Sequence, residues 1–385
     1  MKKICTRCVM DSEIKGISFD QKGLCNFCRG FYKMYNSKPI KSQVEEKSLK
    51  LKKLINDVKK IGKGKKYDCL VGVSGGVDSS WTLIQAKKSG LRPLAVHLDN
   101  CWNSELAQNN INNIVSKLNI DLVTHVIDWK EYKDLMQSFF DANVVDIEIL
   151  YDNSMLALLY KQANKFGLKH IIAGTNSSTE GMVMPQNWNW FKLDKTNIKD
   201  IASKNNVRIK SMPIIGVKYW IYCEYIKRIR WVSFPEMFDY KKDKALSILV
   251  NEYGYKPYPY KHYESIFTRF YQGYILPRKF NIDKRKLHLS NLIITSQLKR
   301  DEALKELESI PYSSNEEMEE DINFFLKKMN WDLSDLENYI KEKRREHYEF
   351  KSEKWLYEIL QNKIKKFVPN EFLKFFRNSY ALRNE

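Results

Sequence analysis

Residues 67–80 read YDCLVGVSGGVDSS. Cys69, Leu70, Val71 and Val73 form an apolar, β-branched run that leads into Ser74-Gly75-Gly76-Val77-Asp78-Ser79, and a helical pattern continues through Ala86. The pattern predicts a strand, a loop and a helix. Gly75 and Gly76 let backbone N–H groups converge on an anion with no Cβ in the way. Ser74 and Ser79 add hydroxyl donors, and the helix amino terminus adds its positive end. The expected guest is a pyrophosphate. The plain alternative is a serine–glycine turn at a strand end.

The loop has no Gly-Lys-Ser/Thr ending and no GxGxxG spacing, which excludes a Walker loop and a dinucleotide fingerprint. SGGVDS resembles the SGGxDS loop of the PP-loop ATP pyrophosphatases. These enzymes cleave ATP between the α and β phosphates, adenylate a substrate oxygen and displace AMP with a nitrogen or sulfur nucleophile.

Beyond residue 67 the periodicity alternates. Strands are expected at 94–98, 122–127 and 170–173, and helices at 104–118 and 154–166. This implies an α/β fold with a parallel sheet covered on both faces, whose ligand lies beyond the carboxyl ends of the strands. Three strand ends then converge: Ser74–Ser79, Asp99-Asn100 and Gly174-Thr175-Asn176. Asp99 is read as a nucleotide contact or as a helix cap. Asp78 is the best carboxylate for magnesium, a cap, or both. Residues 177–195 form a long stretch with Trp188, Trp190 and Phe191, expected as a lid over the cleft. Lys192 and Lys195 are candidate catalytic cations for the leaving pyrophosphate, or solvated lysines.

Cys5-Thr-Arg-Cys8 is followed after sixteen residues by Cys25-Asn-Phe-Cys28. Two CxxC pairs at this separation match a four-thiolate zinc ribbon, with a redox pair as the alternative. With four cysteines there is no open position, so the zinc is expected to be structural. Leu51, Leu54, Ile55, Val58 and Ile61 then mark an amphipathic, lysine-rich helix expected to pack on the sheet.

The formal net charge is +18, which raises nucleic acid, anionic lipid and phosphorylated small molecules as partners. Ten lysines between 41 and 66 account for part of it as a solvated helix face, so nucleic acid is not the expected partner. No apolar run is long enough to cross a bilayer, and Met1-Lys2-Lys3 leads to Cys5 instead of an apolar signal core, so a cytoplasmic location is expected. After Pro213 the pattern is mostly helical, including a helix over 220–231 and another over 244–253. Residues 261–290 intersperse His262, Glu264, Arg269, Lys279, Asp283, Lys284, Arg285 and His288 with large apolar residues. Such a mixture suits a nucleotide diphosphate or a sugar, or a braced fold. The last helices contain Trp355, Phe367, Phe372, Phe375 and Phe376. The expected divisions are a ribbon at 1–40, a connector at 41–66, a nucleotide domain at 67–215 and a helical substrate or accessory region at 216–385.

Four segments together, ICTRCVMDS, SGGVDSS, AGTNSS and HYESIFTRFYQGYILPRKFNIDKRKLHLSNLI, resemble the N-acetyl sugar amidotransferases of bacterial surface-glycan synthesis, over about residues 4 to 310. The resemblance implies conversion of a sugar N-acetyl group to an acetamidino group through an imidoyl-AMP. ATP would lie on Ser74, Gly75, Gly76, Asp78, Ser79, Asp99, Gly174 and Thr175. An N-acetylated nucleotide sugar or nonulosonic acid would lie on His262, Arg269, Lys279, Lys284, Arg285 and His288. Residue 2 is Lys, and no cysteine sits in a Gly-x-Cys-x-Gly elbow, so ammonia is expected from separate glutaminase and cyclase-like subunits. A tRNA-thiolating relative of the iron–sulfur type would need three further cysteines near the site, whereas Cys69, Cys101 and Cys223 are isolated. A lysidine-type tRNA ligase is not excluded by this test. A binding protein with a decayed nucleotide site is the third reading.

Overall fold

The computed structural model describes residues 2–35, 40–258 and 263–367. Phe372, Phe375 and Phe376 lie outside them. The chain begins with a cysteine-rich segment closed by helix α1 (Asn26–Tyr35), and α2 (Ile40–Ile61) follows. Then come β1 (Cys69–Gly72), α3 (Val77–Lys88), β2 (Pro93–Asp99), α4 (Glu105–Leu118), β3 (Leu122–Val126), α5 (Trp129–Asp141), α6 (Ile149–Lys165) and β4 (His170–Ala173). After β4 lie the short α7 (Ser177–Glu180), α8 (Lys195–Lys204), α9 (Val217–Ile221) and β5 (Arg230–Ser233).

The five strands form one parallel sheet in the order β3-β2-β1-β4-β5. Its register sets Leu70 opposite Leu94 and Ile171, and Val71 opposite Ala95 and Ile172. Alternation then divides the strands between two cores. Leu70, Leu94, Val96, Leu98 and Ile171 pack with α5, α6 and α8; Cys69, Val71, Val73, Ala95 and Ile172 pack with α3 and α4. Val58 of α2 is buried in the second core, and Leu51, Leu54 and Ile55 lie against it, so the lysine-rich helix covers the sheet as expected.

Two expectations are corrected. The helix expected over 220–231 stops early: α9 runs on through a π-type turn at Tyr222–Ile226, Arg228 turns left-handed at φ +54°, and Arg230–Ser233 pairs with β4. The segment 177–195 is not a lid. Met182, Trp188, Phe191 and Leu193 are core residues, and Trp190 stacks on His347 at 4.9 Å.

Helices α10 (Lys242–Tyr253), α11 (Ile266–Phe270), α12 (Leu276–Phe280), α13 (Arg285–Ile294), α14 (Arg300–Glu308), α15 (Asn315–Met329), α16 (Leu333–Lys341) and α17 (Lys354–Phe367) follow among the described residues. A π-type turn, Tyr271–Ile275, joins α11 to α12. Among the described residues no helix is long and apolar enough to cross a membrane.

Candidate active site at the strand-switch crevice

The chain winds outward from β1 through β2 and β3, then restarts on the other side with β4 and β5. The crevice beyond β1 and β4 is therefore the switch point, where open α/β sheets take their ligands. The loop from β1 to α3 and the turn after β4 meet there.

Gly75 has φ +86°, and a Cβ on it would lie 2.9 Å from the Ala107 carbonyl oxygen, so no larger residue fits. The Tyr255 and Tyr258 hydroxyls donate to its carbonyl at 3.0 and 3.2 Å. The loop is also fastened to itself. Ser74 N–H donates to Ser79 Oγ at 3.2 Å, Gly76 N–H to Ser74 Oγ at 3.3 Å, and Ser79 Oγ to the Gly76 carbonyl at 3.1 Å. Gly76 caps α3 in extended conformation, and Asp78 stands in the first turn.

Asp78 receives the Tyr240 hydroxyl on Oδ1 and the Thr179 hydroxyl on Oδ2, the latter at 3.1 Å. Burial, with Asp78 beside it, pushes the Tyr240 phenol well up, so it stays protonated and donates. Both Asp78 oxygens thus accept hydrogen bonds from the protein at the amino terminus of α3. Gly174 presses against the same turn: a Cβ there would lie 2.8 Å from the Asp78 carbonyl carbon and 2.9 Å from Ser79 N. Thr175 points toward β5, its Oγ1 at 2.8 Å from Ser233 Oγ. Asp99 Oδ1 accepts from Cys101 N–H at 2.7 Å and from the Asn103 amide at 3.2 Å, closing the turn after β2. A Glu264 carboxylate oxygen lies 3.5 Å from the point a Gly76 Cβ would occupy.

The other predicted residues are placed differently. Lys192 is buried between Asp146 (2.6 Å) and Asp152 (2.9 Å). Burial opposes its charge, but the two carboxylates outweigh burial and raise its pKa. Burial pushes Asp146 up in turn. Lys195 opens α8 and, with burial, depresses the neighbouring Lys161 ammonium. Arg269 holds Asp321 through two bonds of 2.6 Å and Glu317 through one of 2.8 Å, joining α11 to α15. Lys279 donates to the Tyr339 and Glu342 carbonyls at the carboxyl end of α16, and burial lowers its pKa to about 8. Lys284 pairs with Glu148 at 2.8 Å. Arg285 pairs with Asp283 at 2.8 Å and donates to the carbonyls that end α14. His288 is half-buried on α13, and His262 lies outside the described residues. Arg269, Lys279, Lys284 and Arg285, expected as substrate contacts, thus already have protein partners. Lys192→Met is expected to destabilise the protein by about 3–5 kcal/mol, because the Asp146 carboxylate would be left buried without its cation. Urea denaturation measures this; normal stability with abolished turnover would place Lys192 at the chemistry instead.

Cys5, Cys8, Cys25 and Cys28 are fully buried, with their four Sγ atoms within 4.8 Å of one another. A tetrahedral zinc with bonds of about 2.3 Å separates its sulfurs by about 3.8 Å. Cys8 and Cys25 Sγ are 3.7 Å apart. Backbone N–H groups of Arg7, Cys25 and Cys28 point at the sulfurs at 3.2–3.4 Å, which suits thiolates. The cluster fits a metal ion.

The cysteine segment docks on α13 and α14. Arg300 donates to the Cys8 and Cys5 carbonyls at 3.2 and 3.1 Å, and Val9 N–H donates to Ser290 Oγ at 3.2 Å. Asn291 of α13 in turn donates to the Ser178 carbonyl at 2.8 Å and accepts from Met182 N–H at 2.8 Å. Tyr240, Tyr255, Tyr258 and Asn291 were not signalled by the sequence.

Sheet order, SGGVDS loop and helix terminus make an α/β fold like that of the PP-loop ATP pyrophosphatases. Residues 264–365 match the family model described as LPS biosynthesis protein WbpG-like, C-terminal domain. Solved structures with similarity include NMN synthetase from Francisella tularensis, 15% identical over 57% of this chain and 99% of that one, TM-score 0.29. NH3-dependent NAD synthetase from Campylobacter jejuni is 15% identical over 54% and 83%, TM-score 0.29. The U34-tRNA thiolase NcsA from Methanococcus maripaludis is 11% identical over 80% and 90%, TM-score 0.33. No curated protein matches the chain.

Proposed function

We propose that this protein is an ATP-dependent amidotransferase of lipopolysaccharide or related surface-glycan synthesis, converting a sugar N-acetyl group to an acetamidino group. The amide oxygen attacks the α phosphorus of ATP, the α–β bridge breaks, and pyrophosphate leaves. Ammonia adds to the resulting imidoyl-AMP, the carbon–oxygen bond to AMP breaks, and the amidine loses a proton. The observation that supports this reading is the joining, in one chain, of an SGGVDS loop at a strand-switch crevice to a WbpG-like region whose Asn291 holds the turn beside that loop.

In this scheme Ser74, Gly75, Gly76 and Ser79 hold the β and γ phosphates, an electrostatic and positional contribution. Asp78 is the protein ligand for magnesium, which offsets charge on the departing pyrophosphate. Asp99, Gly174 and Thr175 border the nucleoside, and zinc in the four-cysteine cluster is structural. Arg269, Lys279 and Arg285 brace the helices instead of meeting the sugar. Ammonia comes from a separate glutaminase with a cyclase-like subunit, in the cytoplasm.

The test is pyrophosphate release by the purified protein with ATP, magnesium and ammonium, over a panel of N-acetylated nucleotide sugars and nonulosonic acids with bulk tRNA alongside. A sugar product lighter by about one mass unit, oxygen replaced by NH, is the expected result. Release that depends on tRNA alone overturns the proposal in favour of nucleic-acid modification.

A further inference from the structure

His97 lies on β2 with its side chain buried between the phosphate loop and the turn after β2. Its Nδ1 is 2.8 Å from the carbonyl oxygen of Val73, the residue before Ser74. A carbonyl only accepts, so Nδ1 carries the proton, and in the neutral ring Nε2 is then an acceptor. It faces the Asn103 amide nitrogen at 3.0 Å. The second hydrogen of that amide goes to Asp99 Oδ1 at 3.2 Å, another group that only accepts. Both amide hydrogens and both ring nitrogens are used, and donor and acceptor roles agree along the whole line. Burial, the largest influence on His97, holds its pKa below the usual value, which favours this neutral ring.

The turn at the far end of this line is held from a second side. Cys101 has φ +65°, a conformation a non-glycine residue adopts only when its surroundings impose it. Its N–H donates to Asp99 Oδ1 at 2.7 Å, and its carbonyl accepts from Lys328 of α15. Lys328 itself lies over the Trp102 and Trp129 rings at 4.7 and 4.8 Å. Two donors therefore occupy Oδ1, and no donor among the described residues reaches Asp99 Oδ2.

We propose that His97 and Asn103 are positioning residues: they tie the carbonyl preceding the phosphate loop to the Asp99 carboxylate, fixing Oδ2 as the acceptor for a nucleoside hydrogen-bond donor, a ribose hydroxyl or the adenine amine. This rests on the reading of the crevice as an ATP site. One line of hydrogen bonds then sets the spacing between the part of the site that takes phosphates and the part that takes the nucleoside.

The experiment is calorimetric titration of the full-length protein with ATP and magnesium. Asn103 is only half-buried, so Asn103→Ala is expected to fold and to weaken ATP roughly tenfold, as loss of a hydrogen bond to a charged group does. Asn103→Asp keeps the shape and removes the donors, and is expected to weaken ATP at least as much. In an Asp99→Asn background Asn103→Ala is expected to add little, because both act through one carboxylate. Titration with 2′-deoxy-ATP and with purine riboside triphosphate shows which donor Oδ2 takes: the analogue lacking it loses its sensitivity to Asp99→Asn. ATP binding by the wild type that is unchanged in both Asn103 variants, or penalties that simply add with Asp99→Asn, overturns the relay alone. No ATP binding by the wild type overturns the relay and the nucleotide reading together.

Discussion

Removing the metal from the four-cysteine cluster is expected to unfold the amino-terminal segment as a unit and to suppress ATP-dependent pyrophosphate release by about tenfold or more, in a protein whose sheet remains folded. The segment's packing argues for the first part. Cys5, Cys8, Cys25 and Cys28, with Met10, Ile14 and Phe31, make up most of its buried apolar side chains. So few residues do not offset the chain entropy of ordering about thirty, whereas structural zinc contributes about 10–16 kcal/mol in comparable peptides. The second part follows from the line of contacts through Arg300, α13 and Asn291 to the Ser178 carbonyl, with Thr179 next in sequence and bonded to Asp78. Phe31 reinforces it, since its ring lies 2.7 Å from where a Gly181 Cβ would stand. Cys8→Ser is the genetic counterpart of chelation. Metal content by elemental mass spectrometry and pyrophosphate release should fall together, while proteolysis mapped to residues 2–35 rises. Metal-free protein that resists proteolysis there and turns over normally would refute the structural role.

What the sequence showed of this arrangement is what local chemistry encodes. The β1 loop was legible because the strand, both glycines and both hydroxyls lie within fourteen residues and each has a conformational or donor role. The cysteine cluster was legible because spacing alone constrains a tetrahedron. Strand β5 was not, since Arg230–Ser233 has only four residues and follows Trp220, Cys223 and Tyr225, which continue a helical rhythm. The charged residues misled for a related reason. Lys192 lies 46 positions from Asp146, and Arg269 lies 52 from Asp321, so one-dimensional inspection shows cations without their partners. Such residues read as available to a ligand when the fold has already neutralised them. Tyr240, Tyr255 and Tyr258 illustrate the opposite error: three tyrosines among twenty-two, distinguished only by which oxygen they reach.

Gly174→Ala should lower kcat/KM for ATP-dependent pyrophosphate release about 100-fold, the order expected when a reacting group is misplaced by about 1 Å. The added methyl carbon would lie 2.8 Å from the Asp78 carbonyl carbon, 2.9 Å from its oxygen and 2.9 Å from Ser79 N. All three are backbone atoms in the first turn of α3, so no side chain can rotate away to make room. Either the turn after β4 retreats or the amino terminus of α3 moves. Retreat would draw on Thr179, whose hydroxyl holds Asp78, and movement of α3 would shift Ser79, which fastens the loop. Both outcomes disturb the phosphate site while the sheet register, set by Leu70 with Ile171 and Val71 with Ile172, is retained. The comparison is Gly30→Ala in α1, where nothing lies within 4 Å of the added carbon. That change should leave turnover at the wild-type value and stabilise its helix by up to about 1 kcal/mol. Steady-state kinetics with circular dichroism distinguishes the two variants. A Gly174→Ala protein with wild-type kinetics would show that the two turns can separate without cost to catalysis, and would remove the β1–β4 crevice as the place where ATP is cleaved.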